Sequence, residues 1–161
     1  MSSIQWPPRF EPQTAPIHVR NELAMQAPAE VVWAWLIRAV EWPTWYPNAH
    51  GVRIGDGTAC DLSENVEFRW KTFGIPLVSR VGEFVPNERI AWFARGPGVD
   101  VYHAWLIEPR PEGCWVLTEE TQYGLMSRLG HLFLPRRMGK WHQIWLENMA
   151  ARAATGLPRS G

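Results

Sequence analysis

The sequence predicts an α+β domain, one antiparallel sheet with helices packed on one of its faces. Three observations carry that expectation. Between residues 51 and 123 apolar and polar side chains alternate in short segments, with brief Gly-, Pro- or Asn-containing turns between them. Residues 125–154 instead carry apolar side chains at helical spacing. Only one other helical pattern is present, close behind the first strand.

Residues 1–15 contain Pro7, Pro8 and Pro12, with Pro16 next, and read as an extended arm. Trp6 and Phe10 are its candidate anchors. Residues 17–26 alternate through Ile17, Val19, Leu23 and Met25 and read as the first strand. Pro28 suits the first position of a helix. Val31, Val32, Trp35, Leu36 and Ala39 then recur at helical spacing, in a helix expected to end before Pro43. Pro43 and Pro47 argue against regular helix in residues 41–48, where Trp42, Trp45 and Tyr46 form either a packed corner or the rim of a cavity.

Further strands are expected at residues 51–55, 65–73, 77–85, 89–95, 99–108 and 114–123, joined by hairpin-length turns. In the second of these, Val66, Phe68 and Trp70 share a face opposite Glu67, Arg69 and Lys71. Gly124 marks the change to helix. Pro135 interrupts the helical pattern of residues 125–154, so a short helix over 125–134 and a longer one restarting near Pro135 are expected. In the longer piece Met138, Trp141, Trp145 and Met149 fall on one face with His142 at its edge, and Arg136, Lys140, Gln143 and Glu147 lie opposite. Such a face is either ordinary core or the wall of a cavity.

The composition excludes several function classes. The chain has 161 residues, enough for one sizeable core. Sixteen basic and sixteen acidic side chains cancel, and no basic stripe marks a nucleic-acid binder. No apolar run has the length of a membrane span, and the N-terminus lacks the pattern of a signal peptide. Cys60 and Cys114 stand far apart, which fits reduced thiols and a cytoplasmic setting. Eleven tryptophans, spread along the chain, are the compositional outlier. No HExxH, phosphate-binding glycine loop or GxSxG occurs. The five histidines, at positions 18, 50, 103, 131 and 142, show no metal spacing, so neither a metal nor a cofactor is expected. A monomer or homodimer is expected.

The order of elements, with PAEVVWAWLIRAVEWPTWYPN after the first strand, RVGEFVPNERIAW, HAWLIEP followed by WVLTEETQYG, and the interrupted last helix, resembles the START/Bet v 1-like superfamily. More narrowly it is similar to the polyketide cyclase/dehydrase and lipid-transport group. The resemblance spans residues 16–155, with 156–161 as a tail. It implies a helix-grip fold, in which a curved antiparallel sheet of six to seven strands wraps a long C-terminal helix around an apolar cavity. It also implies binding of an apolar or aromatic small molecule, lipid-like or polyketide-like, with cyclase/dehydratase chemistry as the alternative. The group has no catalytic motif that transfers residue by residue.

Strand parity adds a polar element. Val99, Val101, His103, Trp105 and Ile107 share one face, more apolar than the other. A turn at residues 110–113 pairs Pro109 with Cys114, and so His103 with Glu120. A shift of one residue would substitute Glu119. His103 and Glu120 are therefore the candidate acid–base pair, or else a buried polar pair that satisfies itself. The candidate ligand-binding set is Phe68, Trp70, Phe93, His103, Trp105, Glu120, Met138, Trp141, His142 and Trp145.

Overall fold

The computed structural model describes residues 3–130 and 132–159, so His131 lies outside the described residues. Seven strands form a single antiparallel sheet: β1 (Ile17–Met25), β2 (His50–Ile54), β3 (Glu67–Thr72), β4 (Ile75–Val85), β5 (Arg89–Gly96), β6 (Val99–Arg110) and β7 (Gly113–Tyr123). Their order across the sheet is β1-β7-β6-β5-β4-β3-β2. Every step is between neighbours in sequence except β1 on β7. From β3 onward the connections are tight turns that allow hairpins only, the longer loop 55–66 returns β2 antiparallel to β3, and β1 closes on the free edge of the last strand.

The described residues also form four α-helices, α1 (Ala29–Ile37), α2 (Trp42–Trp45), α3 (Leu125–Gly130) and α4 (Leu134–Ala153), and two short 3-10 turns, Pro8–Phe10 and Ala39–Glu41. Helix α1 starts behind Pro28 and ends well before Pro43. The segment 41–48 does contain one helical turn, α2, against the expectation from its two prolines. Pro43 sits in the first turn of α2, where its missing N–H has no intrahelical acceptor to lose. Pro135 stands in the first turn of α4 for the same reason, and the chain breaks between α3 and α4 there.

Gly124 lets the chain leave the sheet. Its φ is +111°, and an added Cβ would stand 2.3 Å from the carbonyl oxygen of Gly98. Only glycine meets both conditions.

Helix α4 packs against β1, α1 and α2. Its buried side chains are Met138, His142, Trp145, Leu146, Met149 and Ala153, whereas Trp141 is only half-buried. His142 and Trp141 thus exchange the places expected for them. Positions 138, 142, 145 and 149, spaced four, three and four apart, run straight along the axis, and 141 falls to one side.

The core is largely aromatic. Trp145 stacks on Tyr46 with centroids 4.3 Å apart, and meets Trp42 at 5.0 Å and Trp105 at 5.1 Å. Trp70 and Trp92 complete the cluster. The edge-to-face arrangements place positive ring edges on negative ring faces, which adds to the burial. Segment 41–48 is a packed corner: Trp42, Trp45 and Tyr46 are all buried.

The opposite face of the sheet carries a smaller cluster. There Phe10 is buried against Phe93, Tyr102 and Tyr123, and Trp6 packs on Tyr102 and His18. The arm is held by these rings and by hydrogen bonds from Thr121 Oγ1 to the Phe10 carbonyl and from Tyr102 Oη to the Gln5 carbonyl.

Candidate functional site: a polar triad at the end of an apolar cavity

Strands β6 and β7 pair in the register that sets His103 opposite Glu120 and Trp105 opposite Thr118. Period two then sends Glu120 inward and Glu119 outward, where Glu119 takes His18 Nε2 at 2.7 Å and Arg20 Nε at 3.3 Å. Helix α4 brings His142 over the same spot from the other side of the core.

The result is a compact triad. His103 Nδ1 lies 3.2 Å from Glu120 Oε2, and His142 Nε2 lies 3.2 Å from that same oxygen. The two imidazoles stack with centroids 4.9 Å apart and planes 28° from parallel. His103 Nε2 faces Thr118 Oγ1 at 2.8 Å, so the hydroxyl fixes the ring's orientation. All three residues are buried. Burial pushes the His103 imidazole well below its usual range, and the adjacent His142 adds to this, so His103 is neutral near pH 7. His142 Nδ1 has no partner among the described residues. A nitrogen from each ring and one carboxylate oxygen lie within 4.8 Å of one another, a donor set able to hold a metal ion.

The triad ends a cavity of about 60 Å³. Apart from the triad its walls are mainly apolar: Trp70, Trp92, Val101, Met138 and Trp145 deep inside, and Phe73, Ile75, Met126 and Leu134 toward the surface. That volume is far below the ~300–1,000 Å³ of pockets for larger ligands. The tryptophans occupy most of the space between sheet and helix.

Of the candidate ligand-binding residues, Trp70, His103, Glu120, Met138, His142 and Trp145 line the cavity. Phe68 and Trp105 are fully buried behind it, Phe68 against Trp42 and Trp92 and Trp105 against His103 and Trp145. Trp141 sits beside Tyr46 at the flank of α4. Phe93 is on the wrong face. It lies over Gly82, whose added Cβ would come within 2.7 Å of the ring, and under the N-terminal arm.

The residue in the place expected of Phe93 is Trp92, which pairs with His103 across β5 and β6. The signal for it is the turn at Pro97-Gly98, which pairs Gly96 with Val99 and hence Trp92 with His103. Cross-strand partners share a face. Gln122, on the Glu120 face of β7, and Tyr46, in the aromatic segment 41–48, also line the cavity, as do Met126 and Leu134, which no local sequence pattern marks.

A family model described as polyketide cyclase / dehydrase and lipid transport matches residues 16–154. A search of curated proteins gives no match. Among solved structures, a hypothetical protein of Helicobacter pylori is 28% identical, with 95% of this chain and 97% of that one covered and a TM-score of 0.87. A Thermus thermophilus protein is 17% identical, with coverage of 86% and 98% and a TM-score of 0.71. The di-domain ARO/CYC protein StfQ of the steffimycin biosynthetic pathway is 15% identical, with 86% of this chain and 50% of StfQ covered and a TM-score of 0.72. The last two likenesses concern the fold alone.

Proposed function

Since the chain belongs to the polyketide cyclase/dehydrase and lipid transport family, we propose that it binds an oxygenated, otherwise apolar or aromatic small molecule in the cavity beneath α4. The observation that carries this reading is the placement of one carboxylate and two imidazoles at the inner end of mostly apolar walls. Small-molecule sites gain orientation from a few polar groups set in apolar surroundings. The triad would receive a hydroxyl or carbonyl oxygen while the indoles flank the ring that bears it. The Nε1 of Trp145, buried and without an acceptor among the described residues, supports the reading, because a ligand oxygen would relieve it.

A ring system needs more room than the cavity has, so the ligand-bound state requires an opening. Helix α3 is the element suited to move. Leu125, Met126 and Leu129, together with Leu132 and Phe133 just beyond it, expose large apolar surface instead of burying it. Met126 and Leu134 stand between that surface and the cavity. No helix among the described residues is long and apolar enough to cross a membrane. A reducing, cytoplasmic setting is supported by two unpaired cysteines, Cys60 exposed and Cys114 buried.

The test is titration with 2-naphthol and with naphthalene, read by quenching of tryptophan emission. Saturable quenching, stronger for 2-naphthol, is expected. No change with either compound up to its solubility limit would reject binding.

A second reading, a cyclase/dehydratase, is favoured by one observation: a neutral His103 beside a carboxylate can accept a proton from a ligand carbon or oxygen. It predicts that a poly-β-ketone substrate mimic is turned over rather than merely bound, and that Glu120→Gln abolishes turnover.

A further inference from the structure

The triad has features that a self-satisfied polar pair does not explain. Both imidazole nitrogens converge on one carboxylate oxygen, Glu120 Oε2, at 3.2 Å each. At 3.2 Å each contact stands at the long end of the ~2.7–3.2 Å range of N–H···O hydrogen bonds. Two ligand atoms of a tetrahedral ion with bonds of ~2.0 Å stand ~3.3 Å apart, which matches the two nitrogen–oxygen spacings, and all three donor atoms lie within 4.8 Å of one another. The carboxylate also lacks a cationic partner at the cavity: among the described residues lining it there is no lysine or arginine. A buried carboxylate without a compensating cation is costly.

Of the two imidazoles, His103 has a partner on its far nitrogen, as a ligating histidine commonly does, whereas His142 Nδ1 has none among the described residues. Thr118 Oγ1, 2.8 Å from His103 Nε2, is placed to accept an Nε2–H, and in that tautomer the Nδ1 lone pair of the ring is directed at the triad. A hydrogen-bond partner on the far nitrogen commonly fixes the tautomer of a ligating imidazole. The remaining side of the triad faces the cavity, where water or a ligand oxygen can take a further coordination position. Two imidazoles and one carboxylate suit zinc(II) or a similar transition ion, and fit poorly the all-oxygen preference of magnesium or calcium.

We infer that His103, Glu120 and His142 form a three-ligand site for a divalent transition metal ion, zinc(II) in its simplest form, with one open position directed into the cavity. The two histidines are on different elements, β6 and α4, and the carboxylate is on β7. The site therefore exists only in the folded chain and leaves no spacing motif in the sequence. The inference stands apart from the ligand proposed above, since the ion alone tests it.

Protein stripped with a chelator is titrated with Zn²⁺ by calorimetry and with Co²⁺ by visible absorption. One equivalent of each should bind, and bound Co²⁺ should give the intense d–d bands of a four- or five-coordinate ion. Mg²⁺ should not compete. Glu120→Gln and His142→Gln should each weaken Zn²⁺ binding by more than the ~10–100-fold typical of outer-sphere changes, and Thr118→Val by an amount within that range. His18→Gln, on the outer face, should change nothing. A wild-type protein that takes up no stoichiometric ion overturns the inference, whatever the variants do. So does Zn²⁺ binding that survives both Glu120→Gln and His142→Gln in folded protein, because the ion would then sit elsewhere, as at the exposed Cys60.

Discussion

Tyr46 and Trp145 lie face to face, with centroids 4.3 Å apart and planes 17° from parallel, and so join the corner after α1 to the middle of α4. Both are buried, and both line the cavity. Burial pushes the Tyr46 phenol above its usual range, with a hydrogen bond from Asn48 opposing the shift, so it stays neutral at physiological pH.

Trp145→Ala should therefore behave as a core deletion. The indole touches four other aromatic residues besides Tyr46 and His103, and a cavity of only about 60 Å³ lies beside it. A loss of ~3–5 kcal/mol in urea unfolding is expected. A loss well under that range would mean that the interior is already open in solution.

His103→Phe keeps roughly the volume and deletes the polar function. It should weaken 2-naphthol binding, measured by fluorescence, by about tenfold or more, the equivalent of one hydrogen bond to a polar group. Naphthalene should lose little. Equal losses for both compounds would make His103 a packing residue only.

Leu134→Ala and Met126→Ala should widen the way into the cavity. Met126 is 44% exposed, so its truncation should cost little stability. Faster association of 2-naphthol in stopped-flow quenching is expected for both variants. Unchanged rates would place the entrance elsewhere.

Phe10→Ala should separate the two faces of the sheet. It removes a ring buried against Phe93, Tyr102 and Tyr123, on the face of the sheet opposite the triad. About 1–3 kcal/mol of stability should be lost, with no change in ligand affinity. A large affinity change would mean that the arm communicates with the cavity through the sheet.

Cys60 is exposed, and Cys114 is buried with its thiol pushed up to about 11 by burial and by the nearby Glu30. A thiol reagent at about pH 8 should label one cysteine quickly and the second only on unfolding. The unfolded chain gives up the Cys114 proton first, so this thiol lowers stability as pH rises from its ordinary 9.0 toward about 11. Rapid labelling of both thiols in folded protein would contradict the packing at the end of β7.

The sequence by itself determined the order of elements and the alternation of faces along the central strands. Alternation along β6 and β7 puts His103 on one face with either Glu119 or Glu120, because a strand has only two faces, and the turn register seen in the structure selects Glu120. Across the turn after β5 the sequence left the register open and Phe93 was the residue expected inside; the structure pairs Gly96 with Val99, which puts Trp92 there instead. What only the tertiary structure decided was everything that crosses between elements. Helical phase placed His142 at the edge of a face, and the packing of α4 against β1, α1 and α2 turned it inward at the expense of Trp141. The size of the cavity was settled by how the tryptophans interlock, a matter of ring shape and three-dimensional fit that no periodicity encodes. The meeting of two histidines and a glutamate has the same origin. Their separations along the chain carry no information about distance, and the fold alone brings them to one point.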